Sequence, residues 1–320
     1  MAARAGVSIK TVSRVVNGVT TVNPELAERV RAAAAALSYR ANPAASALRT
    51  GAPSRTIGLL IKDLNNDFYA AIASAIADVA RANGAQLITA PSGEDVTDER
   101  VVVRDLVRRR LDGLLIVPTS GDQSALAQEI DPHIPVVYLD RRPEGIEADS
   151  VVLDNVNGAR EAVFALINDG HTRIAGLFDT LNMPTMHERL RGLKDAFVAA
   201  GLQHDDGLIA TDLATPDAAF AATSTMLERD DPPTAFFCGN NRSGIGALRA
   251  LWANGRSEPL VTFDDFELSD LMPRDFSVVS YDKHSIGRLG AELLFRRIDG
   301  EQFEPQSIVL PTHREKRGVA

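Results

Sequence analysis

The sequence predicts two architectures in series: a small all-α helix-turn-helix head, then an α/β body made of two subdomains, each a doubly wound parallel sheet. Three observations predict this. The chain opens on a capped, two-faced helix with a basic front. From Thr56 onward, short apolar strands alternate with amphipathic helices, the pattern of parallel sheets covered on both faces. The length of 320 residues exceeds one small domain, and an apolar content of 45% is ample for a buried core.

Residues 5–18 form a tight turn feeding a short helix, with Ser8 as N-cap and Gly18 where a helix should end. Val12, Val15 and Val16 fall on one face at helical spacing, while Lys10, Arg14 and Asn17 share the opposite face. An apolar back with a front of Lys, Arg and Asn suits the major groove. There Arg or Lys bonds guanine, and hydroxyls such as those of Thr11 and Ser13 reach phosphates. The same residues also fit an ordinary surface helix with a solvated face. Asn23-Pro24-Glu25 then starts a further helix, with Asn23 as cap, Pro24 at the first position and Glu25 at the positive end. Its stripe of Leu26, Val30, Ala33 or Ala34, and Leu37 is expected to pack on Val12 and Val16, making residues 1–38 a three-helix unit. Asn42-Pro43 restarts a helical stub, Ala44 to Arg49, which is too short to be stable alone in water.

In the body, strands are expected at Ile57–Ile61, Gln86–Ala90, Gly113–Val117, Val136–Tyr138, Ser150–Asp154, Ile174–Phe178, Ala235–Cys238 and Leu260–Phe263. Helices are expected at Phe68–Asn83, Asp98–Arg109, Val156–Asp169, Met186–Ala200, Thr215–Arg229 and Arg242–Trp252, with a shorter segment at Gln123–Ile130. Ligands of such sheets sit at the carboxyl ends of strands, so the residues just after each strand are the site candidates.

Charge is unevenly placed. Residues 1–51 carry seven basic and two acidic side chains, a net +5, so that the remainder must carry −14 of the overall −9. A basic head on an acidic body is what a nucleic-acid reader joined to a small-molecule domain shows. The single Cys238 excludes a disulfide framework within the chain and points to a reducing, cytoplasmic compartment. No apolar run approaches membrane-spanning length, and the opening residues form no signal peptide. Motifs for phosphate-binding loops, dinucleotide binding, zinc proteases and hydrolase nucleophile elbows are absent, as is metal-ligand spacing among the six His and one Cys. No enzyme, cofactor or metal is expected.

Gly6-Val7-Ser8, Thr11-Val12-Ser13-Arg14-Val15 and Asn17-Gly18 resemble the head of the lactose-repressor (LacI/GalR) family of bacterial transcription regulators. Asn42-Pro43-Ala44-Ala45-Ser46-Ala47-Leu48 resembles that family's hinge helix. Ile57-Gly58-Leu59-Leu60, residues 136–141, residues 169–175 and Phe263-Asp264-Asp265 resemble its periplasmic-binding-protein-like sugar-binding core. The resemblance covers nearly the whole chain in the right order. It implies a head at 1–40, a hinge helix and linker at 41–55, and an effector domain at 56–320. One subdomain of that domain would comprise about 56–154 and 283–309, the other about 155–282 and 310–320. It also implies that Ile9, Lys10 and Arg14 face base edges, that Thr11, Ser13 and Asn17 hold phosphates, and that Leu48 is the wedge that enters the minor groove. Family members carry roughly five or six more residues, about a turn and a half of helix, ahead of the segment that begins here.

The residues after the strands supply the candidate cleft. Asp, Asn and Arg offer donors and acceptors for vicinal hydroxyls, and aromatic rings stack on a sugar's apolar face. By resemblance to ribose-type receptors and sugar-responsive repressors, Asn66, Phe68, Tyr69, Asp140, Arg141, Arg189, Asn240 and Asp264 should line it. Local readings stand beside these: an Asp140–Arg141 ion pair, Asn240 as a helix cap, Phe68 as core. Two positions depart from the pattern. Asn241 stands where an Asp is usual, and Tyr281, where a Gln often reaches the ligand, is expected to stack on or shorten the pocket. The resemblance thus implies a homodimeric regulator, a repressor, reading a pseudo-palindromic operator under allosteric control by a monosaccharide (pentose-like) or related polyol, with no membrane partner. The alternatives are a regulator-derived sugar-binding protein with an impaired head, or a sugar transport receptor.

Overall fold

The computed structural model describes residues 1–16, 18, 19, 21–39, 54–272 and 276–318. Asn17 and the stub at 44–49, with Leu48, lie outside the described residues. The chain divides into two compact units, Met1–Ser54 and Arg55–Ala320.

In the first unit, helices α1 (Ala2–Ala5), α2 (Ile9–Val16) and α3 (Pro24–Ala36) enclose a small core. Ala5, Val30 and Ala33 are buried at its centre, with Met1, Val7, Val12 and Val15 packed around them. Ser8 caps α2, its Oγ accepting from the Thr11 backbone N–H at 3.1 Å. Asn23 caps α3 by accepting from the Glu25 N–H at 2.8 Å. The turn between α1 and α2 is made at Gly6, whose φ of 60° is left-handed and favours glycine. The Gly6 carbonyl accepts from Arg29 Nη2 at 3.1 Å, tying that turn to α3. The expected stripe on α3 is corrected at two positions. Leu37 is 45% exposed, and Ala27 is buried. The short α1 approaches α3 closely, and that contact takes small side chains.

The second unit holds two lobes. The first contains β1 (Thr56–Ile61), β2 (Gln86–Pro91), β3 (Gly113–Ile116), β4 (Val136–Asp140), β5 (Asp149–Leu153) and β11 (Ser307–Leu310), in the order β11-β5-β4-β3-β1-β2. The second contains β6 (Ile174–Leu177), β7 (Ile209–Ala210), β8 (Ala235–Cys238), β9 (Leu260–Phe263), β10 (Phe276–Ser280) and β12 (His313–Arg317), in the order β12-β10-β9-β8-β6-β7. The two orders are the same once β1–β5 are matched to β6–β10, so the lobes repeat one topology. Pairing is parallel throughout except between β10 and β12, which is antiparallel. The chain passes between lobes three times: after β5, after β10 and between β11 and β12.

The inner strands of both sheets are apolar because both their faces are covered. Leu59, Ile61, Leu115, Val137 and Leu139 are essentially without exposure, as are Phe237, Val261 and Phe263 in the second lobe. In the first lobe the covering helices include α4 (Asp67–Ala82) and α11 (Lys283–Ile298). They approach so closely that a Cβ on Gly287 would lie 2.4 Å from the Ile72 carbonyl oxygen. In the second lobe α7 (Asn155–Asn168) packs on α8 (Pro184–Ala199), and α9 (Pro216–Leu227) on α10 (Asn241–Ala253). The expected segment Gln123–Ile130 shortens to one helical turn, Ser124–Ala127. Among the described residues, no helix is long and apolar enough to cross a membrane.

Candidate functional site

The carboxyl ends of both sheets face one another across a cleft lined by both lobes. The cleft lies at the switch point of each sheet, where strand order reverses beside β1 and β6.

Four arginine and lysine side chains and their acidic partners dominate it. Arg189, on α8, is 3% exposed. Its Nη1 donates to Asp264 Oδ2 at 3.1 Å and to the Gly239 carbonyl at 2.7 Å, and its Nε donates to Asn155 Oδ1 at 2.9 Å. The guanidinium lies over the Phe263 ring, 3.7 Å from its centroid. Arg141 follows β4 and donates to both oxygens of Glu94, at 2.9 and 2.6 Å, and to the Pro118 carbonyl at 2.9 Å. Burial works against its charge, but Tyr69, Glu94 and Asp140 outweigh burial and push its pKa up. Asp140, beside it, is held 3.6 Å from Arg141 Nε. Burial pushes the Asp140 carboxyl up to about 6, against the opposing charges of Arg141 and Arg189.

Two further pairs join the lobes at the mouth. Arg242, in the first turn of α10, pairs with Asp63, the second residue after β1. Asp63 is partly buried, yet the Asn65 backbone N–H and Arg242 hold its carboxyl below the usual range. Lys62 approaches Asp179, just past β6, at 3.5 Å.

Of the residues expected from sequence, Asn66, Phe68, Tyr69, Asp140, Arg141, Arg189, Asn240 and Asp264 all line the cleft. Several also serve local structure. Asn66 caps α4, accepting from the Phe68 N–H at 3.1 Å. Asn240 caps α10 in a reciprocal capping box with Ser243. Phe68 belongs to the core as well as the wall. Tyr281 is not in the wall. It stands behind Asp264, donating its hydroxyl to Oδ1 at 2.6 Å, with its ring 6.2 Å from that of Phe68. Burial drives its phenol pKa well up, so the proton stays on the tyrosine. Asn241 donates Nδ2 to Asn66 Oδ1 at 3.2 Å, across the lobes. An Asp in its place, with no donor when ionised, makes no such bond.

Lys62, Asp63, Asp179, Met183, Thr185, Met186 and Arg242 also line the cleft and were missed. Lys62, Asp63 and Asp179 obey the same strand-end rule that found the others. Met183 and Thr185 carry no comparable signal. Among the described residues, no group of His, Cys, Asp and Glu is placed to hold a metal ion.

The head presents a separate surface. Ile9 is 80% exposed at the start of α2, and Lys10 and Arg14 are exposed beside it. Arg14 Nη2 donates to Thr21 Oγ1 at 2.6 Å, which fixes its direction. The Thr11 hydroxyl is 2.9 Å from Ser8 Oγ, so Thr11 supports the helix start. Ser13 is half-buried on the same helix.

Two family models match the chain. One, bacterial regulatory proteins of the lacI family, spans residues 1–42. The other, periplasmic binding proteins and sugar binding domain of the LacI family, spans residues 54–308. The HTH-type transcriptional regulator CelR of Thermobifida fusca is 33% identical, covering 98% of this chain and 95% of CelR. Catabolite control protein A of Priestia megaterium is 29% identical, covering 99% of this chain and 97% of its own. A solved CelR–cellobiose complex matches with a TM-score of 0.74 at 32% identity, over 98% of this chain and 96% of that one. The lac repressor dimer bound to operator and the anti-inducer ONPF matches with a TM-score of 0.82 at 26% identity, over 99% and 96%.

Proposed function

Since this chain belongs to the LacI family of bacterial regulatory proteins, we propose that its effector is a neutral, polyhydroxylated ring, a small pentose-like sugar, held between the two lobes. Membership makes the chain a DNA-binding transcriptional regulator controlled by a small molecule.

The observation that carries the reading is the matching of charge in the cleft. Arg189 pairs with Asp264, Arg141 with Glu94, Arg242 with Asp63 and Lys62 with Asp179. Among the described residues, every cation lining the cleft has a carboxylate partner, and Asp140 adds one more acid. A phosphorylated sugar would have to break such a pair to be neutralised. A neutral polyol instead exchanges hydrogen bonds with the free lone pairs and N–H groups of these fixed ion pairs, and stacks on Phe68. Asp140, Arg141, Arg189 and Asp264 are the principal ligands in this reading, with Asn66, Phe68, Tyr69 and Asn240 around them. Tyr281 acts from behind by orienting Asp264. The carboxylates serve binding, each held by an arginine or lysine or, for Asp140, buried, and no catalytic role is assigned.

The regulator works as a cytoplasmic homodimer on a pseudo-palindromic operator, in keeping with the lac repressor dimer it resembles. Ile9, Lys10 and Arg14 read base edges, and Thr11, Ser13 and Asn17 with the Leu48 wedge complete the contact. An effector that binds one lobe arrangement better than the other shifts operator affinity by that difference.

The test is a melting-temperature screen of the full chain against pentoses, hexoses, disaccharides and their phosphates. A neutral sugar should raise the melting temperature, since a ligand of the folded state stabilises it. Stabilisation by sugar phosphates alone overturns the charge argument.

A further inference from the structure

Arg141 is aimed by a residue that does not line the cleft. The peptide unit joining Pro118 to Thr119, just past β3, is gripped at both ends. Its carbonyl, on Pro118, accepts from Arg141 Nη1 at 2.9 Å. Its N–H, on Thr119, donates to Glu99 Oε1 at 2.8 Å, and the Thr119 hydroxyl donates to Glu99 Oε2 at 2.6 Å. Glu99 stands in the first turn of α5 (Val96–Val107). Neither Glu99 nor Thr119 is part of the cleft wall.

Two features mark Glu99 as more than a packing residue. The first is its burial without a counter-ion. It is 0% exposed, and no cation pairs with it among the described residues. A buried carboxyl is costly unless its oxygens are bonded. Both of these are, and both bonds end on Thr119, whose carbonyl accepts in turn from Gln123 Nε2 at 3.2 Å. The second is what remains of Arg141. A guanidinium has five N–H groups, two of them on each Nη. Arg141 Nη1 serves Glu94 and Pro118, and Nη2 serves Glu94 and the Met183 Sδ, 3.3 Å away. The buried Nε–H makes no hydrogen bond, the Asp140 carboxylate standing 3.6 Å off. Such a group costs free energy that a ligand oxygen can recover. Its direction follows from the plane of the guanidinium, and two acceptors set that plane. Glu94 is a partly exposed anchor, shared with Lys62 at 3.5 Å. The Pro118 carbonyl is the fixed one, because Glu99 holds its peptide.

We propose that Glu99 is a positioning residue of the effector site: by clamping the 118–119 peptide it fixes the plane of Arg141, and so the direction in which Nε presents its N–H to an effector oxygen. The inference rests on the reading of Arg141 as a principal effector ligand. Every part of the device belongs to the first lobe. Glu94 follows β2, the peptide follows β3 and Arg141 follows β4, with Glu99 on the helix between β2 and β3. It therefore acts on how well Arg141 bonds the effector and leaves the angle between the lobes alone.

Three variants of the full chain test this. Glu99→Ala removes both acceptors. Glu99→Gln restores both bonds, with Oε1 accepting from the Thr119 N–H and Nε2 donating to the Thr119 hydroxyl oxygen. Thr119→Val deletes the hydroxyl bond alone and serves if E99A does not fold. The first readout is the Arg141 Nε–H signal in the NMR spectrum of protein labelled with nitrogen-15 arginine, assigned by its loss in R141K. It should move in E99A, move less in T119V and return to the parent position in E99Q. The second is calorimetric titration with D-ribose and D-xylose. The better of the two should bind E99A about tenfold more weakly or worse, T119V a few-fold more weakly and E99Q within about twofold of the parent. A residue that only stabilises the fold would lower the melting temperature of E99A and leave the Arg141 signal in place. An unmoved signal in E99A and T119V, a signal that E99Q does not restore, or a moved signal with parental affinity overturns the proposal. If neither pentose binds the parent, the neutral-sugar reading falls, and the signal alone decides whether Glu99 places Arg141.

Discussion

Asp140 and Asp264 close equivalent strands of the two lobes, β4 and β9, in the same left-handed backbone conformation, with φ of 66° and 67°. Both are nearly buried, at 5% and 8% exposure. A non-glycine residue in this region costs on the order of 1 kcal/mol or more, and Asp is among the side chains that tolerate it. Strain of the same kind at the same place in both lobes turns each chain end sharply, which brings the two carboxylates to face one cleft. Their surroundings then separate them. Asp264 is gripped by Arg189 and Tyr281, whereas the nearest cation to Asp140, Arg141, is committed to Glu94.

That grip makes Asp264 sensitive to its neighbours. Tyr281→Phe removes one donor from a buried carboxylate and leaves an oxygen unmet, a change worth about 1–3 kcal/mol. Effector affinity should fall roughly 5- to 150-fold at about 1.4 kcal/mol per decade, with operator binding in the absence of effector unchanged. Asp264→Ala should abolish the response, because it frees the buried Arg189 as well. Calorimetric titration with the stabilising sugar checks both, and an unchanged affinity in either variant would remove Asp264 from the ligand set.

Asp140 should give the protein an acid-side stability change. Its folded pKa of about 6 lies above the ordinary carboxyl value of 3.8. Between those values the folded state holds a proton that the unfolded chain has lost. Stability therefore declines as pH rises from about 4 to about 6 and is level above that, by on the order of 3 kcal/mol from this group. Asp140→Asn, which keeps the shape and accepts the left-handed backbone, should flatten that decline and melt no lower than the parent at pH 7. Urea denaturation at pH 4.5, 5.5 and 7 measures it. A variant whose pH profile parallels the parent's would show that Asp140 titrates normally.

The body was legible where strands were buried on both faces. Ile57–Ile61 or Ala235–Cys238 read as short apolar runs because nothing polar interrupts them. The edge strand His313–Arg317 was not legible. Four of its five side chains are charged at neutral pH and its outer side meets solvent, so neither period nor apolarity marks it. Its partner is chosen by tertiary pairing with Phe276–Ser280, in which Arg317 reaches Asp265 at 2.8 Å. In the cleft, strand-end position found the Asp and Arg residues, since the topology delivers every strand end to one place. Lys62, Asp63 and Asp179 obey the same rule, but a charged side chain just past a strand fits a solvated loop equally well, and only the tertiary pairings Arg242–Asp63 and Lys62–Asp179 turn these three inward. Met183 and Thr185 approach through the loop before α8 and its first turn, and local sequence does not say which loop folds inward.

The contacts across the mouth should set how readily the cleft opens. Arg242–Asp63 and Asn241–Asn66 both join first lobe to second. Asn241→Asp exchanges a donor for a carboxylate against the Asn66 oxygen and should favour the open form. Arg242→Ala removes a partly exposed ion pair, whose contribution is screened by salt. Each should weaken the effector about three- to tenfold, and in Arg242→Ala the salt dependence of binding should diminish. X-ray scattering of the unliganded protein should show a larger radius of gyration for both. Radii and affinities equal to the parent's would mean that the lobes are held by the strand crossovers alone.

Arg14 projects from α2 with its guanidinium bonded to Thr21 rather than folded onto the core, so its free N–H groups are directed before DNA arrives. Preorganised, it suits a bidentate contact to guanine O6 and N7, worth roughly 1–3 kcal/mol of discrimination. Ile9, 80% exposed at the helix start, has no packing reason to be apolar and suits contact with a thymine methyl. With an operator selected from random duplexes, Arg14→Ala should lose about tenfold or more in preference for that site over one with the guanine exchanged. Loss of a phosphate contact would instead lower affinity for all sequences alike and reduce the salt slope. Anisotropy titrations at two salt concentrations separate the two outcomes, and a preserved site preference with a reduced slope would reassign Arg14 from base to backbone.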